Sequence, residues 1–175
     1  MKSITFKPLT ENDLLLLYDW FQKPHILTWY ARGKHYSLTK IKEKYEHRIK
    51  DPTIPSFIIH IENQPIGYIQ LYEVSHHLPD GVSDYDHPLF QQNKPNEVAG
   101  IDLFIADEKY LNKGYAGTIL KIFINEHVKT KFTVLVADPL KANSHAIRFF
   151  EHNGFKKLVC DLLSNVNELL VLYVK

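Results

Sequence analysis

A chain of 175 residues is one domain's worth of polypeptide, long enough to bury roughly 70% of its unfolded surface without a metal or disulfide staple. Lys and Arg number 21 against 20 Asp and Glu, a formal net charge of +1, which argues against a nucleic-acid binder. An apolar content of 45% and a single cysteine, Cys160, exclude a disordered chain, an internal disulfide and a cysteine metal cluster, and no apolar run has membrane-spanning or signal-peptide character.

The expectation is therefore one soluble, cytoplasmic domain over residues 1–175, with no nucleic-acid or membrane partner, acting as a monomer or homodimer. In chain order, Ile4, Phe6 and Leu9 predict a short strand. Thr10 then caps a helix, Asp13 lies three residues on, and Leu14, Leu17, Tyr18 and Phe21 form one apolar face that Pro24 ends. A second helix is predicted over Ser37–Lys50. After Pro52 the period changes, and Phe57–Ile61 and Ile66–Tyr72 read as a hairpin around Glu62–Pro65. Residues 74–96 lack periodicity and read as a long loop, a wall or lid. Val98–Ala106 reads as a strand, Gly114–Val128 as a helix and Phe132–Ala137 as a strand. Asn143–Asn153 reads as a helix closed by Gly154, and Leu169–Val174 as a last strand. This order predicts an α/β (α+β) mixed sheet with helices on both faces.

Two segments carry chemistry. Lys113-Gly114-Tyr115-Ala116-Gly117-Thr118 follows a strand and opens a helix. Small residues there let a phosphate approach backbone N–H groups at a helix start. The spacing fits neither a Walker loop nor a dinucleotide fingerprint, and the alternative is a helix that merely begins at a glycine. The second segment, Asn143-Ser144-His145-Ala146-Ile147-Arg148-Phe149-Phe150-Glu151-His152-Asn153-Gly154-Phe155, resembles the N-x-x-A-x-x-x-Y-E-x-x-G-F signature of the GNAT superfamily of acetyl-CoA-dependent acyltransferases.

Further segments resemble the aminoglycoside 6′-N-acetyltransferases within that superfamily: Leu17–Trp20, His25–Tyr30, Pro65–Tyr68, Gly100–Asp102, Asp138–Pro139 and Ala146–Arg148. The resemblance implies a GNAT fold with a mostly antiparallel central sheet, acetyl-CoA as co-substrate without a metal, and acetyl transfer to the 6′-amine of an aminoglycoside. It implies a pyrophosphate turn at Lys113, Gly114, Tyr115, Ala116, Gly117 and Thr118. It also implies backbone contacts to the thioester near Phe104, Ile105 and Ala106, and further CoA contacts at Asn143, Ala146 and Phe150. Asp102 falls at the acceptor amine, Asp80 and Asp138 at substrate-binding carboxylates, and Trp29 in an aromatic substrate wall. Trp29 is equally readable as core.

The residues themselves fit a cationic substrate. Between Glu73 and Glu108 eight carboxylates face the single Lys94, a patch that attracts polyamines. A solvated acidic loop is the plainer reading. Asp102 alternates with Ile101, Leu103 and Ile105, so it stands on the opposite strand face. A carboxylate on an apolar strand is paired, solvated or functional, and beside an amine it accepts the proton released on attack.

Phe150 departs from the GNAT signature, where a tyrosine commonly protonates the departing thiolate. Tyr115 is the candidate substitute. The alternatives are a siderophore-type hydroxylysine acyltransferase, a protein N-acetyltransferase, and a catalytically weak CoA-binding module. His76-His77 lacks a third ligand at metal spacing, and Cys160 reads as packing in a late strand.

Overall fold

The computed structural model describes residues 2–159 and 166–174; Cys160 lies outside them. Seven strands form one sheet in the order β1-β2-β3-β4-β5-β7-β6. They are β1 (Ile4–Pro8), β2 (Ser56–Ile61), β3 (Gln64–Glu73), β4 (Val98–Ile105), β5 (Val134–Ala137), β6 (Lys156–Lys157) and β7 (Leu170–Tyr173). The β1–β2, β2–β3, β5–β7 and β6–β7 pairs are antiparallel, and β4–β5 is parallel. The expected mixed, mostly antiparallel architecture is present, and β6 is an addition to it.

The helices are α1 (Leu14–Phe21), α2 (Pro24–Trp29), α3 (Leu38–Lys50), α4 (Tyr115–Phe123) and α5 (Ser144–His152). Pro24 does not simply end a helix. α1 stops at Phe21, and Pro24 opens α2 at its first turn, where the missing N–H has no intrahelical acceptor to lose. At the start of α1 the Thr10 N–H and hydroxyl both donate to the Asp13 carboxylate at 2.8 Å, so Thr10 gives hydrogen bonds where the sequence suggested that it accepts one. Ser37 caps α3 by accepting from the Lys40 N–H. α4 gives way to a wide π-type turn over Ile124–Val128.

The chain divides into two compact units, one of Met1–Leu71 and Asp102–Ala116, the other of Tyr72–Ile101 and Gly117–Lys175. The first unit packs α1–α3 on an aromatic and aliphatic core of Leu17, Phe21, Ile26, Ile41, Tyr45, Ile58, Tyr68 and Phe104. Its hairpin closes through Glu62 and Asn63, both at positive φ of 50° and 67°, the twist that a two-residue hairpin turn needs. Ile59 faces Gly67 while His60 faces Pro65, so Ile66 is the extra residue of a bulge. Gly67 admits no side chain, because a Cβ would lie 2.3 Å from the Phe104 carbonyl oxygen.

In the second unit β4 pairs with β5 through Val98–Gly100. A Cβ at Gly100 would lie 1.8 Å from the Tyr72 ring, so glycine there is a packing requirement. The irregular segment 74–96 is anchored: Val74, Val82, Leu89, His87 and Asn93 are buried, and Pro88–Phe90 and Pro95–Glu97 form short 3-10 turns. The Phe150 ring packs against Phe149 and Phe155.

Candidate active site

Asp102 stands on β4 in the first unit, half-buried. Its Oδ2 accepts a 2.6 Å hydrogen bond from the Gln70 side-chain amide on β3. Gln70 Oε1 is 2.6 Å from the Tyr68 hydroxyl, and that hydroxyl is 2.9 Å from Ser56 Oγ on β2. Strand geometry explains the grouping. Tyr68 and Gln70 are two residues apart and share a face of β3, and Ser56 is the cross-strand partner of Gln70.

Helix α3 adds two cations to this neighbourhood. Arg48 lies 5.1 Å from the Tyr45 ring centroid and Lys44 5.1 Å from that of Tyr36, distances at which ring faces attract cations. Arg48 Nη1 and the Tyr45 hydroxyl are buried without a hydrogen-bond partner. Burial, helped by the nearby Arg48 charge, pulls the Lys44 ammonium down to about 8. Burial opposes the Arg48 charge, yet Tyr30, Tyr68, Tyr45 and Asp102 hold its pKa above the usual value. Burial pushes the Tyr68 hydroxyl up to about 12, and those of Tyr30 and Tyr45 well above the ordinary range. These phenols therefore remain proton donors at neutral pH.

The other two carboxylates expected from the sequence, Asp80 and Asp138, belong to the second unit. Asp138 Oδ2 accepts the Asp80 backbone N–H at 2.5 Å and lies 3.4 Å from the Tyr72 hydroxyl. The structure thus brings the two predicted acids Asp80 and Asp138 together, with the Asp138 carboxylate holding the loop that carries Asp80. The Asn167 side chain donates to the Asp138 carbonyl at 2.7 Å.

The residues expected to meet the acyl donor divide between the units. Phe104 turns its ring into the first unit's core, edge-on to Trp20 and stacked on Tyr68, so only its backbone can meet a ligand. The Ala106 N–H donates to the Ile66 carbonyl at 2.7 Å. Ile66, the extra residue of the bulge, thus supplies the acceptor for the Ala106 N–H. The Ile105 carbonyl is 2.9 Å from His25 Nε2.

Lys113 and Gly114 precede α4, with Gly114 at φ +80°, and Tyr115 opens the helix against the Tyr110 ring at 5.0 Å. Ala116 follows in the first turn of α4. Gly117 and Thr118 continue α4 in the second unit, where a Cβ on Gly117 would press on the Asn153 side chain at 3.2 Å. Asn143 caps α5 by accepting from the Ala146 N–H at 3.1 Å, and Phe150 is buried. Trp29 is 42% exposed at the end of α2, which removes the core reading.

Gln70, Tyr68 and the α3 cations escaped the sequence reading. The available signal was Gln70 itself, a polar residue inside a strand that is otherwise apolar or aromatic on both faces. Among the described residues no three His, Cys, Asp or Glu side chains gather as a metal site, and no helix is long and apolar enough to cross a membrane.

Residues 10–159 match the family described as the acetyltransferase (GNAT) domain. The chain belongs to that family and is an N-acetyltransferase. It is 28% identical over 161 residues to aminoglycoside N(6′)-acetyltransferase type 1 of Klebsiella pneumoniae, covering 89% of this chain and 75% of the relative. Among solved structures it is similar to the aminoglycoside acetyltransferase AAC(6′)-Ib in complex with coenzyme A and kanamycin, at a TM-score of 0.75 and 26% identity over 98% of this chain and 95% of that one. The spermidine N-acetyltransferase of Vibrio cholerae, in complex with CoA and spermine, shares the fold at a TM-score of 0.71 and 14% identity, covering 97% and 95%.

Proposed function

We propose that this N-acetyltransferase moves the acetyl group of acetyl-CoA to a primary amine of a cationic small molecule, the 6′-amine of an aminoglycoside. The observation that carries the acceptor side is Asp102, a half-buried carboxylate oriented by Gln70 on the strand that also supplies the Phe104 and Ile105 backbone. The single family match over residues 10–159 supports treating the chain as one catalytic domain.

In this reading the amine and the thioester meet in one ternary complex. The ammonium gives its first proton to solvent, and Asp102 accepts the proton that the nitrogen sheds as it attacks, directly or through one water. The amine lone pair attacks the thioester carbonyl, and backbone N–H groups near Phe104 and Ile105 meet the developing oxyanion. The C–S bond then breaks and the electron pair leaves on sulfur. Lys113–Thr118 hold the pyrophosphate, and Asn143 and Ala146 lie along the CoA path. Phe150 has no proton to give. A thiol has a pKa of about 8.5, so its thiolate leaves without an acid, and Tyr115 is the nearest phenol in the turn sequence. Asp80, Asp138 and exposed Trp29 receive the acceptor.

A second reading has its own observation. Lys44 shares its surroundings with Arg48, Lys34 and Arg32, a cationic grouping better suited to an amine that also bears a carboxylate, such as a hydroxylated lysine. Thiol release from acetyl-CoA separates the readings when kanamycin, tobramycin, spermidine, hydroxylysine and a peptide amine are compared. Fast release with the two aminoglycosides alone supports the first. Release with hydroxylysine alone supports the second, and binding of CoA without release for any amine leaves a CoA-binding module.

A further inference from the structure

We propose that Gln70 is a positioning residue for the Asp102 carboxylate, and that Tyr68 fixes which way the Gln70 amide faces. The catalytic meaning of this inference rests on the reading of Asp102 as the acceptor-side base. The positioning itself does not.

The argument is one of proton supply. The Gln70 nitrogen must be the atom 2.6 Å from Asp102 Oδ2, because the flipped amide would set two acceptors face to face. Gln70 Oε1 then lies 2.6 Å from the Tyr68 oxygen and needs a donor. Tyr68 has one proton, and burial keeps it on the phenol well past neutral pH. Ser56 Oγ lies 2.9 Å from the Tyr68 oxygen and donates its own proton to the Ile54 carbonyl at 3.1 Å. Tyr68 is fully buried and Gln70 nearly so, so water does not compete for these positions. The result is a directed chain, Tyr68 to Gln70 to Asp102, that ends in a donor on the carboxylate.

Such a donor does two things. It restrains one carboxylate oxygen. It also favours the ionised form, the form a base requires. The charged and titratable groups that act on Asp102 include Tyr30 just past α2, Lys44, Tyr45 and Arg48 on α3, and Tyr68 on β3. Each of these keeps its proton through the range in which a carboxylate titrates, so a change seen there belongs to Asp102 and its donor.

The test needs no acceptor. The Asp102 carboxyl carbon is followed by 13C NMR as a function of pH and identified by its absence in Asp102→Asn. Gln70→Met removes the donor, and its midpoint should rise by about one pH unit, the scale of a hydrogen bond to a charged group. Gln70→Glu, which keeps the shape and adds a like charge, should raise it further. Tyr68→Phe, which acts on the carboxylate mainly through the Gln70 amide, should raise it less. Midpoints unmoved in Gln70→Met and Gln70→Glu would overturn the proposal, and Gln70→Glu and Tyr68→Phe preserve enough volume to carry it if Gln70→Met does not fold.

With a turned-over amine, the acid limb of kcat should shift upward in the same order. In Gln70→Met, kcat at neutral pH should fall about tenfold while acetyl-CoA affinity stays within about twofold. If Asp102→Asn leaves kcat intact, the base reading falls and the titration still decides the positioning. If Asp102→Asn abolishes turnover and Gln70 variants change neither midpoint nor limb, the positioning falls alone.

Discussion

Two carboxylates of this chain, Asp102 and Asp138, both accept hydrogen bonds, but from donors of different kinds. Asp102 receives a side-chain amide, and the groups behind that amide are side chains of β2 and β3. Asp138 receives the backbone N–H of Asp80 and so fastens a loop. A carboxylate held by side chains can be adjusted by substitution without moving the backbone. One that holds the backbone combines a structural bond with any charge it offers a ligand. The comparison teaches that two acids of similar appearance in sequence should respond to mutation in different observables.

The largest effect should come from Asp102→Asn. It should lower kcat by about 100- to 10,000-fold, the usual range for loss of a general base, with acetyl-CoA affinity unchanged by calorimetry. An equal fall in affinity would remove the distinction between the two acids.

The next effect is one of stability, and it comes from the cations around Asp102. The folded-state pKa of Lys44 is lowered to about 8, below the ordinary lysine value of about 10.4. At pH 7 both states carry the proton and the penalty is fully present. Between about pH 8 and 10 the unfolded chain keeps a proton that the fold has released, so stability rises with pH. Above about 10 the buried tyrosines reverse the slope, because the unfolded phenols ionise first. Urea melts at pH 7 and 9.5 should show the rise. Lys44→Met should abolish it and gain about 2 to 3 kcal/mol at pH 7.

Asp138 sharpens the contrast. Asp138→Asn keeps an acceptor for the Asp80 N–H and removes the charge. It should raise KM for a polycationic acceptor by about threefold to tenfold, leave kcat near its original value, and leave thermal stability unchanged. Asp138→Ala should show the same KM change and also lose about 1 kcal/mol in melts, for the missing backbone bond. The smallest effect belongs to Phe150→Tyr. The ring is buried between Phe149 and Phe155, so a hydroxyl there changes kcat by less than about threefold unless thiolate departure limits the rate. A larger increase in single-turnover rate would show that departure is limiting.

The sequence made the framework readable where chemistry is local. Pro24 and the apolar spacing of Leu14, Leu17 and Phe21 mark α1 and its end, and Gly154 closes α5 at φ +93°. Asp102 was visible because it interrupts an apolar strand. α2 was missed because Pro24 reads equally as a stop and as a start, and six residues are too few for a helical period to declare itself. β6 was missed because it is two exposed lysines, Lys156 and Lys157, too short and too polar to show a strand pattern. Gln70 and Arg48 were not legible as partners of Asp102. Their meeting depends on which residues of β2, β3 and α3 come to lie opposite one another, and no local pattern encodes that.

The bulge at Ile66 has a bearing on how this chain reaches its working form. The turn at Glu62-Asn63 starts the β2–β3 ladder with Ile61 opposite Gln64, and the single extra residue then moves the pairing by one, so that Ser56 meets Gln70. If Ile66 paired with Ile59 instead of bulging, the same ladder would set Ser56 opposite Ile69, with Tyr68 and Gln70 turned to the other face. Parity along the strand, set far from Asp102 and early in hairpin formation, thus decides between a hydrogen-bonded donor chain and a layer of buried polar groups with nothing to bond. A hairpin in the slipped register would keep nearly all its backbone bonds and lose the Gln70–Asp102 hydrogen bond.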